Sequence, residues 1–181
     1  MRHDDRVALA TVLSDRRVGA AACAAAGVLP LIYWSVADLS HDATSQQHEW
    51  SIVLLFSAML LGLGLGFLAV AGRLSGSHAI RTARFLAIVF AAASVTNLVE
   101  DGLRVEAAFL IFVVELLSIH LGCGVLAFLI LTREHRSGRL WAVVPIGTII
   151  GILLFVEAGG PLLAVTWVGA ALYALRQPSR A

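Results

Sequence analysis

Six apolar stretches divide this chain, and the arginines between them fall on alternate sides. The stretches run near Val18–Ala37, Trp50–Gly72, Phe85–Leu103, Ala107–Thr132, Leu140–Val156 and Pro161–Leu175. Each is close to the roughly 20 residues that an α-helix needs to cross a hydrocarbon core of about 30 Å. Before the first stretch come Arg2, Arg6, Arg16 and Arg17; the second connection carries Arg73, Arg81 and Arg84, the fourth Arg133, Arg136 and Arg139, and the tail Arg176 and Arg180. The first and fifth connections hold no arginine and the third only Arg104. With six spans, all the basic residues but Arg104 share one side, and the positive-inside rule makes that side the cytoplasm.

The sequence therefore predicts an all-α, polytopic integral membrane helical bundle of about six transmembrane helices, N-in/C-in. Residues 1–17 form a cytoplasmic N-terminal segment, 18–175 a single transmembrane domain, and 176–181 a cytoplasmic tail. Composition agrees: 59% of the residues are hydrophobic and 14% charged, against about 25% charged in an ordinary soluble domain. Every basic residue is arginine and none lysine, a usage that points to a GC-rich bacterial genome and so to a bacterial inner membrane. Ser35-Val36-Ala37 has the small-x-small form of a signal-peptide cleavage site, and cleavage there would leave five spans beginning at Asp38. The stretch is longer than a signal core and Tyr33 and Trp34 crowd the site, so the first stretch is read as an uncleaved span.

Close approach of helices in lipid depends on small residues. Gly62 and Gly66 form one GxxxG pair and Gly147 and Gly151 another, with Gly122 and Gly124 on the fourth span. Contacts within the chain are the first expectation for these faces. A homo-oligomer or a membrane-protein partner, through Gly62/Gly66 or Gly147/Gly151, is the second.

Ionisable groups inside a membrane are costly and face the bundle interior or a cavity. Glu115 and His120 are the two that lie well within a span. At 1.5 Å per residue, Glu115 sits about 12 Å below the outer boundary, and Asn97 on the antiparallel third span reaches the same level. Asn97 and Glu115 are thus expected to meet. Ser94, Asn97, Asp101 and Arg104 follow at helical steps, Glu100 and Arg104 stand four apart, and Ser118 lies one turn from Glu115. The pattern predicts a polar chamber open to the outside, with Ser94, Asn97, Glu115 and Ser118 as ligand-binding residues. If the site is catalytic, Glu115 is the general acid, with Glu100, Asp101 or His120 assisting. The competing expectation is structural: the same groups staple two helices by hydrogen bonds worth about 1 kcal/mol each.

Other features bound the function. The first outer connection contains His41 and His48 among Asp38, Asp42 and Glu49, and reads as a solvated loop with no metal site. Cys23 and Cys123 lie in apolar stretches and behave as small buried residues. Leu9, Val12, Leu13 and Arg16 have the spacing of a segment lying along the inner leaflet, whose anionic headgroups suit the arginines. Tyr33, Trp34 and Trp50 fall near the outer boundary and Trp141 near the inner, as in an aromatic belt. There is no phosphate-binding glycine loop, CxxC, haem-type histidine pair or HExxH, so no cofactor and no nucleic acid is expected. Three functions fit: binding or moving a small solute, proton or lipid between the third and fourth spans; an intramembrane enzyme for a lipid-like substrate; or a structural or regulatory subunit of a membrane complex. Whether the chain is an enzyme at all is left open by the sequence.

Overall fold

The computed structural model describes residues 15–39, 46–154 and 158–177. Among these there is no strand, and six α-helices follow in order: α1 Arg16–Leu39, α2 Gln46–Ala71, α3 Ser77–Asn97, α4 Ala108–Arg133, α5 Val143–Leu153 and α6 Gly160–Arg176. A π-turn at Leu98–Gly102 extends α3, and a 3-10 turn at Gly138–Ala142 leads into α5. The amphipathic segment expected around Leu9–Leu13, the loop histidine His41 and Arg180 lie outside the described residues.

Four helical segments are long and apolar enough to cross a membrane: Arg16–Val36, Trp50–Ala71, Ser77–Gly102 and Ala108–Arg133. The fifth and sixth, Gly138–Leu153 and Gly160–Arg176, are apolar but shorter. The third begins two turns before the expected Phe85. Gly76 precedes Ser77 with an extended backbone, and the amide protons of this loop find an acceptor in Glu134, so the helix starts there. Arg81 and Arg84 then project outward from its first turns, both exposed.

Each helix lies against its neighbours in sequence, and α6 returns to lie against α1, closing a ring. Pairings run antiparallel throughout. Gly62 faces Ala25 and Leu29; Gly64 faces Ala87; Gly122 faces Leu86; Gly147 and Gly151 face Thr166 and Leu163; Gly27 faces Ala164 and Val168. The glycines singled out in the sequence, apart from Gly124, therefore seat helices within this chain, where a side chain would hold the backbones apart. Gly124 faces open space. Because the helices alternate and are even in number, Arg16 and Arg176 lie at the same end with Arg73, Arg81, Arg84, Arg133, Arg136 and Arg139. Arg104 lies at the other.

Pro161 lies in the first turn of α6, where its missing N–H costs nothing. Glycine is required at Gly159, where a Cβ would run into the carbonyl of Gly151 and the backbone of Leu154. Pro30 lies inside α1, where it removes one rung of the hydrogen-bond ladder, a loss that neighbouring helices make tolerable.

Aromatic side chains fill the middle of the ring. Phe67 stacks on Phe90 with centroids 5.5 Å apart and takes the edge of Trp167 at 5.1 Å; all three are fully buried. The outward surface is apolar as well, with Ile88, Leu110, Leu121 and Val165 among its most exposed side chains. A surface of that kind suits a lipid solvent and not water.

Candidate functional site

The helices that carry the candidate residues are held at the right level but rotated differently from the simplest expectation. Asn97 does not bond Glu115. Its amide nitrogen donates to Oγ of Ser57 at 3.0 Å and to the carbonyl of Val53 at 3.3 Å, both on α2. Ser94 joins it by donating to the carbonyl of Ser57 at 2.9 Å. These three side chains are buried and form a polar lock between α2 and α3. Asn97 satisfies its two amide protons there, which accounts for its turning towards α2.

Glu115 instead meets Thr96, whose hydroxyl donates to Oε1 at 3.1 Å. Its other oxygen, Oε2, is buried and has no hydrogen-bond partner among the described residues. Ser118 does not join them: its hydroxyl donates to the carbonyl of Val114 on its own helix at 2.7 Å. The expected chamber of Ser94, Asn97, Glu115 and Ser118 is thus divided into a lock on α2, a contact between α3 and α4, and a hydroxyl satisfied locally.

His120 lies on the other flank of α4. A carbonyl can only accept, so the 2.7 Å contact between Nδ1 and the oxygen of Leu116 places the proton on Nδ1. The other ring nitrogen, Nε2, is buried and likewise without a partner among the described residues.

Beside α4 lies an interior cavity of about 180 Å³. Leu116, Ile119 and Phe112 of α4 wall one side; Phe56, Met59 and Leu63 of α2, Phe90 and Ala93 of α3 and Ile152 of α5 wall the others. At about 100° per residue, Phe112, Leu116 and Ile119 form one stripe, and Glu115 and His120 stand on its two edges, about 140° apart. The cavity is nearly all apolar; Glu115 and His120 are not among the residues that line it, but stand beside the α4 stripe that does, each with one unsatisfied polar atom. Tyr33, Phe56 and Phe112 form a chain of rings beside it, with centroids 5.1 Å and 6.3 Å apart. Nothing in the sequence marks this cavity, because its walls come from four helices and consist of ordinary core residues.

The acids nearer the end of α3 are elsewhere. Glu100, Asp101, Arg104, Glu106 and Phe109 surround an open hollow at the surface. The helical spacing expected for Glu100 and Arg104 does not hold, because the helix ends at Gly102 and Arg104 adopts a left-handed backbone with φ 57°. Among the described residues no group of three or more histidine, cysteine or acidic side chains is placed to hold a metal ion.

A second polar centre, at the arginine-rich end, went unnoticed in the sequence. Glu134, just beyond α4, is buried at 3% exposure. Its Oε1 accepts the backbone N–H groups of Ser75 at 2.9 Å and Gly76 at 2.8 Å, and its Oε2 accepts the Ser75 hydroxyl at 2.5 Å. Arg139 Nε donates to the Glu134 carbonyl at 3.2 Å, and Arg73 is buried at the same end. One carboxylate therefore ties the α2–α3 loop to the α4–α5 loop. The signal was present: Glu134 is the one acid in the two arginine-rich connections. Beside it, Tyr173 donates to the carbonyl of Ser137 at 2.6 Å and packs its ring on Trp141, fixing the end of α6 to the same loop.

Compared with protein-family models, curated proteins and solved structures, the chain matches none.

Proposed function

We propose that this chain is a small multi-pass membrane protein that binds a lipid-like or small apolar ligand within the ring, with Glu115 and His120 receiving its polar group. The observation that carries the reading is the cavity beside α4. An apolar pocket of about 180 Å³ is walled on one side by the Phe112–Leu116–Ile119 stripe of α4, and the residues at the two edges of that stripe, Glu115 and His120, each leave one buried polar atom without a partner among the described residues. Unpaired buried polar atoms cost on the order of 1–3 kcal/mol each, so a ligand that satisfied one of them would gain that as well as the burial of its apolar part. Passage of an ion or a polar solute is the weaker reading, because beyond the cavity the interior is closed by Phe67, Phe90 and Trp167.

The proposed setting is a bacterial inner membrane crossed six times, with the arginine-rich end in the cytoplasm. Its support is the charge asymmetry and the antiparallel return of α6 along α1. At 1.5 Å per residue the 17 residues of α6 span about 26 Å, the lower limit for crossing.

A second reading, an intramembrane enzyme acting on a lipid-like substrate, is favoured by an acid and an imidazole at the two edges of the α4 stripe that walls the cavity. Glu115 would donate a proton and His120 Nε2 would accept one.

Native mass spectrometry of the gently extracted protein, beside its Glu115→Gln and His120→Gln variants, tests both. A bound small molecule that is retained by the parent and depleted about tenfold in a variant is expected. The enzyme reading further requires that the bound mass change with time in the parent alone. Ligand-free protein in all three forms, each folded by circular dichroism, would overturn the binding reading.

A further inference from the structure

We propose that the lipid-facing groove between α3 and α4 binds one anionic phospholipid, with Arg81 holding its phosphate and an acyl chain lying along Leu121, Gly122 and Val125. The groove has a volume of about 510 Å³ and lies on the outside of the ring, away from the interior cavity. Arg81, Thr82 and Phe85 form its α3 side.

Two of its polar residues are polar in name only. The hydroxyl of Thr82 donates to the carbonyl of His78 at 3.0 Å, and that of Ser118 to the carbonyl of Val114 at 2.7 Å. Both are satisfied by their own helix. What remains is an apolar channel with one guanidinium at one end. Arg81 is exposed and makes no hydrogen bond or ion pair among the described residues. A site with one cation and a long apolar wall matches an amphiphile with one anionic head and a chain.

The level of the arginine fits the same occupant. Arg81 precedes Gly102, the far end of its helix, by 21 residues, or about 31 Å of rise. That is the thickness of the hydrocarbon core, so when Gly102 lies at one boundary Arg81 lies at the other, where phosphates sit. Arginine binds phosphate through a fork of N–H donors, and each basic residue near an anionic membrane surface adds attraction to acidic lipid. Gly122 completes the groove. Its missing side chain lets Leu86 seat against α4, which draws the two helices together below the channel and leaves the channel itself open.

The test titrates the purified full-length protein in detergent with dioleoyl phosphatidylglycerol or dioleoyl phosphatidylcholine and counts bound lipids by native mass spectrometry. The parent is expected to retain one phosphatidylglycerol about fivefold more strongly than phosphatidylcholine, the order expected for one arginine at an anionic surface. Arg81→Gln should abolish that preference, while Arg176→Gln, at the end of α6, should keep it. Val125→Trp, which fills the groove, should lower retention of both lipids. Glycerol 3-phosphate, which has the head and no chain, should not compete. Equal retention of the two lipids by the parent, or an undiminished preference in Arg81→Gln, would overturn the proposal. Glu115→Gln leaves the preference unchanged, which separates this site from the interior one.

Discussion

Thr96 and Glu115 meet across the α3–α4 interface, hydroxyl to carboxyl oxygen at 3.1 Å, and no other hydrogen bond among the described residues reaches that carboxyl. A single hydrogen bond between membrane helices contributes about 1 kcal/mol. Thr96→Val is therefore expected to lower unfolding stability in micelles by about that amount. Glu115→Leu should lose both the bond and the ligand, whereas Glu100→Gln, at the open surface hollow, should change neither. Equal ligand retention by Glu115→Leu and Glu100→Gln would remove Glu115 from the site.

Removing the carboxylate of Glu134 strands three donors, the N–H groups of Ser75 and Gly76 and the Ser75 hydroxyl. Glu134→Ala is expected to destabilise the protein by about 1–2 kcal/mol, less than for fully buried donors because Ser75 is exposed and water can replace part of what the carboxylate supplied. Glu134→Gln, which keeps one acceptor oxygen, should fall between it and the parent. Glu106→Ala, an exposed acid, should cost less than about 0.5 kcal/mol. Denaturant unfolding of the four proteins side by side gives the ranking.

Two glycines make a paired comparison. A Cβ on Gly66 would press on the ring of Trp167 and on Ala26, whereas one on Gly124 would meet nothing within 4 Å. Gly66→Ala should cost about 2 kcal/mol through overpacking. Gly124→Ala should be neutral or stabilise by up to about 1 kcal/mol, since alanine is the better helix former. Thermal unfolding that ranks the two in the opposite order would contradict the closeness of α2 to α6.

The proposed orientation predicts opposite labelling from the two sides of the membrane. The native cysteines, Cys23 and Cys123, are buried, so added thiols report alone. Ser137→Cys should react with an impermeant maleimide only after the cells are opened. Glu106→Cys should react in intact cells. The reverse pattern would invert the topology.

How far the sequence reached is clearest at Glu115. The presence of a polar partner at its level on α3 follows from rise per residue alone. Which residue that partner is does not follow, because Thr96 and Asn97 are neighbours in sequence but about 100° apart around the helix. The rotation of α3 is decided by Ser57, a hydroxyl on α2 that takes Asn97 away, and Ser57 drew no notice among the apolar residues of its stretch. Glu134 was hidden for another reason: the arginines around it marked both loops only as lying on one side, and only the fold brings one loop under the other. The two short helices were legible as apolar segments. Their place against α1 and α4, which closes the ring, depends on contacts far apart in the chain that local patterning does not encode.

That closure has a consequence for how the protein is made. Gly66 and Ala26 hold open the slot that Trp167 fills, and Gly27 waits for Ala164 and Val168. The ribosome delivers α6 after α1 to α5, so a chain that stops short of it carries an unfilled notch along α1 and α2. The ring therefore cannot close before α6 has been made. Loss of α6 undoes the seat of α1 and lays bare the seam between the first two helices.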